Sequence, residues 1–86
     1  MKQWILYMLE CKDGTLYTGI TDDLPRRMQA HASGKGAKYT RGRGPLTLRY
    51  IENCQDHSQA LRREIQIKRL TKKEKLALFE NAEPKK

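Results

Sequence analysis

Four side chains in the N-terminal part of the sequence could together bind a phosphate group and activate water. Tyr7 and Tyr17 lie on either side of a turn sequence, and Arg27 and His31 follow at a spacing of four. An arginine can neutralise phosphoryl charge, whereas phenol and imidazole groups can position water or move its protons. Amphipathic core tyrosines and a solvated Arg–His pair are the alternative interpretation of the same residues.

Glu64 adds a carboxylate to this set. On a helical projection it falls on the inward face, between Ala60 and Ile67. A carboxylate directed at a core must be paired or must bind a cation, so a salt bridge and a metal site are both open. The flanking candidates for a salt bridge are Arg62, Arg63 and Lys68. One inward Glu also suits magnesium, which usually takes one or two protein carboxylates.

Two strands must carry the tyrosines. The apolar run Trp4–Leu9 predicts a strand, and Leu16–Ile20 predicts its hairpin partner. A two-residue loop, Asp13-Gly14, would place Tyr7 and Tyr17 on opposite faces of the sheet. A three-residue loop that includes Lys12, with Gly14 in the left-handed conformation, would place both on one face. The sequence allows either register.

A helix must carry Arg27 and His31. Asp22 or Asp23 can cap it, Pro25 lies in its first turn, and Ser33-Gly34 ends it. The spacing of its apolar residues predicts that one stripe is buried. That stripe consists of Leu24, Met28 and Ala32.

The remaining elements complete an α+β domain. After Pro45, alternation predicts a strand over Leu46–Ile51, with Leu46, Leu48 and Tyr50 on one face. Asp56 with Gln59 predicts the start of a helix over Ser58–Leu70, and Thr71 with Glu74 predicts the start of a third helix. The resulting order is β-β-α-β-α-α, a three-stranded antiparallel sheet flanked by three helices. We expect a single domain over 1–82 and a disordered tail over 83–86.

Composition points to a nucleic-acid partner. Eighteen Lys and Arg against ten Asp and Glu give a net charge of +8, and small basic domains concentrate polyanions. No signal peptide or membrane-spanning run is recognisable, and two cysteines indicate neither a disulfide framework nor a zinc site, so we expect a cytoplasmic protein. The segment from Gly34 to Arg49 contains no acidic residue, and we predict that it binds nucleic acid; a solvated loop is the alternative. Its candidate contacts are Lys35, Lys38, Tyr39, Arg41, Arg43 and Arg49.

The same residues resemble a known family. WILYMLECKDGTLYTGITDDLPRRMQAH is similar to the start of GIY-YIG nuclease domains, with Tyr7 and Tyr17 at the two motif tyrosines and Arg27 and His31 on the following helix. SQALRREIQIKRL resembles the helix that carries the metal-binding Glu, here Glu64. The likeness extends to about residue 80 and is greatest to the small stand-alone bacterial members. The first motif departs from the family, reading Ile-Leu-Tyr, and the family's downstream Asn has only Asn81 as a candidate.

The resemblance implies a metal-dependent endonuclease that hydrolyses phosphodiester bonds in DNA. Tyr7 would act as general base, Tyr17 would bind water or phosphate, Arg27 would neutralise phosphoryl charge and His31 would orient water or assist proton transfer. One Mg²⁺ or Mn²⁺ ion on Glu64 would contact a non-bridging oxygen and the leaving 3′ oxygen. Without a groove-reading element, single-stranded or branched DNA is the expected target, and RNA is a second candidate substrate. The family likeness implies a role in DNA repair. A non-catalytic DNA- or RNA-binding module is the alternative function.

Overall fold

The computed structural model describes residues 3–34 and 44–82. Within them, an antiparallel sheet of three strands has the order β2-β1-β3 and is accompanied by three helices. The predicted α+β class and the order β-β-α-β-α-α are confirmed. The elements are β1 (Trp4–Glu10), β2 (Leu16–Thr21), α1 (Leu24–Ala32), β3 (Thr47–Cys54), α2 (His57–Lys68) and α3 (Lys72–Ala82).

The β1–β2 hairpin adopts the three-residue loop. The backbone N–H of Cys11 donates to the carbonyl of Thr15, and Gly14 has a φ of 85°, a left-handed conformation that glycine adopts without steric cost. The ladder then pairs Tyr7 with Gly19 and Leu9 with Tyr17. Residues paired across a ladder share a face, so both tyrosines emerge on the same side of the sheet.

Helix α1 lies on the tyrosine side. Asp23 caps its N-terminus by accepting from the backbone N–H of Arg26 at 3.2 Å. The predicted buried stripe is wrong at Ala32, which is exposed; Leu24 and Met28 are half-buried, and the buried side chain of this helix is His31. The helix is rotated so that His31, rather than the apolar stripe, faces the sheet. The reason is a tertiary contact, because His31 forms a hydrogen bond with Tyr7 on β1.

Strand β3 contains a bulge that the alternation did not predict. The register between β1 and β3 shifts between Met8 and Leu9, so that Met8 pairs with Tyr50 and Leu9 pairs with Leu48. Arg49 is the additional residue. Leu48 and Tyr50 consequently lie on opposite faces, which corrects the prediction that they share one, and Leu48 is 42% exposed. A bulge reverses the in–out pattern of every residue beyond it.

The hydrophobic core lies on the face opposite the tyrosines. Leu6, Met8 and Cys54 pack there against residues of α2 and α3, namely Ala60, Ile67 and Phe79. Helix α3 begins with the predicted capping box, in which Thr71 and Glu74 exchange side-chain-to-backbone hydrogen bonds of 2.8 and 3.2 Å. Across the described part of the chain, the helices are too short and too polar to span a bilayer.

Helix α2 is held by a cap and an ion pair. Asp56 accepts from the backbone N–H of Gln59 at 2.8 Å, as predicted. The guanidinium of Arg63 donates to Glu52 on β3 at 2.7 Å, and the Tyr50 hydroxyl donates to the second oxygen of that carboxylate at 2.8 Å. This network fixes the rotation of the turn of α2 that carries Glu64.

Candidate active site

Four of the predicted site residues meet on one face of the sheet. We call Tyr7, Tyr17, Arg27 and His31 the phenol cluster. The ring centroids of the two tyrosines are 6.3 Å apart. The ring centroid of His31 lies 5.8 Å from that of Tyr7 and 5.6 Å from that of Tyr17. The tyrosines come from two hydrogen-bonded strands and the other two residues from one turn of α1. The shared face that the sequence left open is thereby realised.

The hydroxyl of Tyr7 is the centre of the cluster. It lies 2.9 Å from Nε2 of His31, and the Nε–H of Arg27 donates to it at 3.3 Å. A guanidinium can only donate, so the phenol oxygen is the acceptor in that contact. The phenol hydrogen is therefore free to point at Nε2 of His31 when the imidazole carries its own proton on Nδ1. In that arrangement the phenol can release its proton to the imidazole.

Burial sets the direction of the phenol pKa. Desolvation raises the pKa of Tyr7 above its usual value; the hydrogen bond from Arg27 opposes this, and the charge of Glu64 adds to it. Arg27 therefore lowers the pKa of the phenol, but the effect of burial is larger. The side chain of Tyr7 is fully buried, and the loss of hydration disfavours the phenolate more than one guanidinium favours it.

The two basic members of the cluster respond to the same surroundings. Burial lowers the pKa of His31, and the charge of Arg27 lowers it further, so His31 is a neutral proton acceptor at pH 7. The hydrogen bond to Tyr7 raises the pKa of Arg27, and one to Tyr17 contributes. The cluster thus contains a permanent cation beside a neutral phenol and a neutral imidazole.

Gly19 makes room for the phenol of Tyr7, a role that the sequence analysis missed. It lies directly opposite Tyr7 in the ladder, and a Cβ atom at this position would be 2.6 Å from the phenol oxygen and 2.7 Å from Cζ. A glycine inside a strand often marks such a close approach. That signal was present in the motif Tyr17-Thr18-Gly19, where only the tyrosine received a role.

Glu64 lies on α2, and its charge acts on the phenol of Tyr7. Its side chain is 18% exposed, and its carboxylate pairs with Lys68 at 3.2 Å. Lys68 is one of the three predicted salt-bridge candidates. Because an i,i+4 ion pair on a helix contributes only about 0.5 kcal/mol, a metal ion can displace the ammonium group from the carboxylate. The charge of Glu64 raises the pKa of Tyr7, so the carboxylate and the phenol share one electrostatic environment.

The donor set at Glu64 fits a magnesium ion better than a zinc ion. Within residues 3–34 and 44–82, no three His, Cys, Asp or Glu side chains are grouped as metal ligands. Zinc sites require such a group, whereas magnesium keeps most of its water and takes one carboxylate with substrate phosphate. The half-buried carboxylate of Glu64, held by a weak and displaceable ammonium, matches the second case.

The remaining predicted residues lie elsewhere. Arg49 is not part of the phenol cluster, because it pairs with Glu10 at 3.6 Å and its guanidinium lies 5.3 Å from the ring centroid of Phe79, on the core side of the sheet. Asn81 belongs to α3, and its side chain lies outside the described structure. The other predicted nucleic-acid contacts also lie outside the described residues: Lys35, Lys38, Tyr39, Arg41 and Arg43.

The fold and the cluster agree with one family. The sequence model of the GIY-YIG catalytic domain family matches residues 3–77 of this chain, and the chain belongs to this family. Its members are endonucleases, so membership indicates nuclease chemistry on a nucleic-acid substrate.

Within the family, the chain is similar to proteins named UPF0213. It is 54% identical over 74 residues to one from Halobacterium salinarum, covering 86% of this chain and 96% of that protein. It is 48% identical to one from Oceanobacillus iheyensis, covering 92% of each. These names assign no activity.

Solved structures support the same fold. The solution NMR structure of a UPF0213 protein from Bacillus halodurans has a TM-score of 0.61 and 46% identity, covering 98% of this chain and 89% of that one. A second NMR structure, of a protein from E. faecalis, has a TM-score of 0.64 and 34% identity, covering 100% and 95%.

Proposed function

We propose that this protein is a metal-dependent endonuclease that hydrolyses phosphodiester bonds in DNA, with single-stranded or branched DNA as the preferred substrate. The observation that supports it most is the position of the Tyr7 hydroxyl, which lies 2.9 Å from Nε2 of His31 and 3.3 Å from the Nε–H donor of Arg27. A core tyrosine needs one hydrogen-bond partner. A hydroxyl that accepts from a cation and faces a neutral base is arranged for proton transfer.

The chemistry begins with proton transfer from water. A free phenolate at pH 7 costs about 4 kcal/mol for an ordinary tyrosine, and burial raises the pKa of Tyr7 further. We therefore propose that Tyr7 does not ionise beforehand. Its oxygen accepts a proton from the attacking water while its own proton passes to Nε2 of His31. The neutral state of His31, whose pKa burial lowers, leaves Nε2 free to receive that proton.

Bond making and breaking follow at phosphorus. The water oxygen forms the new P–O bond and the bond to the 3′ oxygen breaks. The 3′ oxygen takes a proton from solvent, and His31 releases its proton to solvent. The products are a 5′-phosphate and a 3′-hydroxyl. The guanidinium of Arg27 stabilises the charge on the phosphoryl oxygens. A magnesium or manganese ion held by Glu64 would add Lewis-acid stabilisation of the same charge.

Access to the buried phenol defines the role of Tyr17. Tyr7 is fully buried, whereas Tyr17 and Arg27 are half-buried. Water and phosphate therefore approach between Tyr17 and Arg27. In this scheme Tyr17 orients water or phosphate, and Tyr7 carries the proton.

The test is a cleavage assay on labelled single-stranded, branched and duplex DNA and on RNA, with magnesium or EDTA. We expect Tyr7→Phe and Glu64→Gln to reduce metal-dependent cleavage by about 100-fold or more, and Tyr17→Phe to reduce it less than Tyr7→Phe. Glu10→Gln is the matched control for Glu64→Gln, since Glu10 lies on the other face of the sheet from Tyr7, and it should cleave like the unaltered protein.

Three results would contradict the proposal. Undiminished cleavage by Tyr7→Phe and Glu64→Gln would remove the proposed site. DNA binding without metal-dependent cleavage would support the non-catalytic binding module instead. Cleavage of RNA alone would overturn the assignment of DNA.

A further inference from the structure

A cleft beside the phenol cluster is lined by cations that the proposed reaction does not use. It has a volume of about 400 Å³ and is lined by Leu16, Tyr17, Thr18, Lys68 and Lys75. Tyr17 belongs to both the cleft and the phenol cluster, and Lys68 pairs with Glu64 at 3.2 Å. The cleft therefore opens directly onto the proposed site.

A third lysine extends this positive surface past the cleft. The Nζ atom of Lys72 lies 3.6 Å from the position that a Cβ atom at Gly14 would occupy, so its side chain reaches the β1–β2 turn. We call Lys68, Lys72 and Lys75 the lysine edge. It follows strand β2, the outer strand of the sheet, from the phenol cluster toward the hairpin turn.

The charges of the lysine edge are largely uncompensated. Within the described ranges, Lys72 and Lys75 form no ion pair, and Lys68 has only its contact with Glu64. Glu74 caps α3 through the N–H of Thr71, and Asp13 accepts from Thr15. Clustered ammonium groups repel one another, so they gain most from an anion that contacts several of them.

The hydroxyl of one residue of the cleft is buried. Thr18 is 3% exposed, and its Oγ1 has no hydrogen-bond partner among the described residues. An unpaired buried hydroxyl is unfavourable. Because Thr18 pairs with Met8 and Tyr17 pairs with Leu9, this buried hydroxyl lies on the core side of β2, and the groups that the cleft presents are the two lysines and Tyr17.

From this arrangement we propose that the lysine edge binds the sugar-phosphate backbone of a DNA strand as it leaves the catalytic site. Lys68 and Lys75 contact the phosphate next to the scissile one, and Lys72 contacts a phosphate further along. Tyr17 supplies an aromatic surface for the intervening base. Phosphate contacts of this kind position a strand without reading its sequence. This inference rests on the proposed nucleic-acid substrate and adds the path of the strand.

Binding of a fluorescent single-stranded oligonucleotide, measured by anisotropy in EDTA over a range of salt concentrations, tests the path without cleavage. The test variant is Lys72→Ala/Lys75→Ala. The matched control is Arg62→Ala/Lys73→Ala, which removes the same two charges from exposed positions pointing away from the core on α2 and α3. We expect the test variant to lose about 10-fold or more in affinity and to reduce the slope of log K against log salt by about 1.4, since each single-strand phosphate contact contributes about 0.7. The control should retain the slope.

Equal losses of affinity in the two double variants would overturn the proposed binding by the lysine edge, because such losses would reflect net charge alone. In the cleavage assay, the test variant should raise KM and leave kcat nearly unchanged. A lower kcat with unchanged KM would also overturn it. If the unaltered protein binds the oligonucleotide through the lysine edge but does not cleave DNA, the nuclease proposal is wrong and the binding proposal is retained. If the protein cleaves DNA but the two double variants bind with equal affinity, only the binding proposal is wrong.

Discussion

Gly19 lies directly across the β1–β2 ladder from Tyr7, and the phenol ring of Tyr7 covers the space that a side chain at position 19 would fill. The two residues form one unit. The phenol reaches His31 and Arg27 on α1 because the neighbouring strand has no Cβ atom in its path. A backbone feature of β2 therefore sets the position of a catalytic candidate on β1.

Replacing Gly19 tests this relationship. A Cβ atom would lie 2.6 Å from the phenol oxygen, so Gly19→Ala must displace the ring from its hydrogen bonds. We expect a loss of about 1–3 kcal/mol in the free energy of unfolding, measured by chemical denaturation, and a large loss of cleavage in protein that is still folded by circular dichroism. Gly44→Ala is the control, because no atom of the described residues lies within 4 Å of its Cβ position. Unchanged cleavage by Gly19→Ala would show that the position of the phenol is not critical.

The pH dependence of cleavage should report on His31. In the proposed reaction the imidazole must be neutral, and the groups that act on it include the phenols of Tyr7 and Tyr17 and the guanidinium of Arg27. Because burial and Arg27 lower the pKa of His31 below its ordinary value of 6.5, kcat/KM should rise with pH through a midpoint below 6.5 and then level off. His31→Gln should cleave more slowly and lack this acidic limb. An identical acidic limb in His31→Gln would assign the titration to another group.

The same pKa shift should appear in stability. Between the lowered folded pKa of His31 and the unfolded value of 6.5, the unfolded chain binds more protons than the folded one. The free energy of unfolding must therefore fall as pH decreases through that window. Urea titrations at several pH values should show a steeper fall for the unaltered protein than for His31→Gln. Parallel curves for the two proteins would mean that His31 does not titrate differently on folding.

The unpaired hydroxyl of Thr18 predicts a stabilising substitution. Thr18→Val keeps the shape of the side chain and removes a buried polar group without a described partner, so the free energy of unfolding should rise by up to about 1 kcal/mol. Thr21→Val is the contrasting control, since the Oγ1 of Thr21 accepts from the backbone N–H of Asp23 at 3.0 Å, and it should destabilise. Thermal unfolding of both variants makes the comparison. Destabilisation by Thr18→Val would reveal a partner for its hydroxyl in the free protein.

Local signals predicted the elements well and their burial less well. The caps at Asp23, Asp56 and Thr71 were recognisable because each acts within three residues of itself. The side of α1 that is buried was not recognisable in the same way. Apolar spacing favoured Leu24, Met28 and Ala32, whereas a hydrogen bond from the distant Tyr7 turns His31 inward.

The bulge at Arg49 shows the same limit in a strand. Alternation of Leu48 and Tyr50 indicated one shared face, and one additional residue in the ladder separated them. A bulge depends on how two strands meet, and the sequence of one strand does not reveal it. It also directs Arg49 toward Glu10 and Phe79, away from the phenol cluster.

By itself, the sequence determined the order of the elements, the basic character of the protein and the set of side chains able to act on a phosphate, because residue type and short-range spacing carry that information. Only the tertiary structure decided that Tyr7 and Tyr17 share a face, that Gly19 admits the phenol and that desolvation raises its pKa. Each of these depends on the register of strands and on burial, which arise when distant segments pack together.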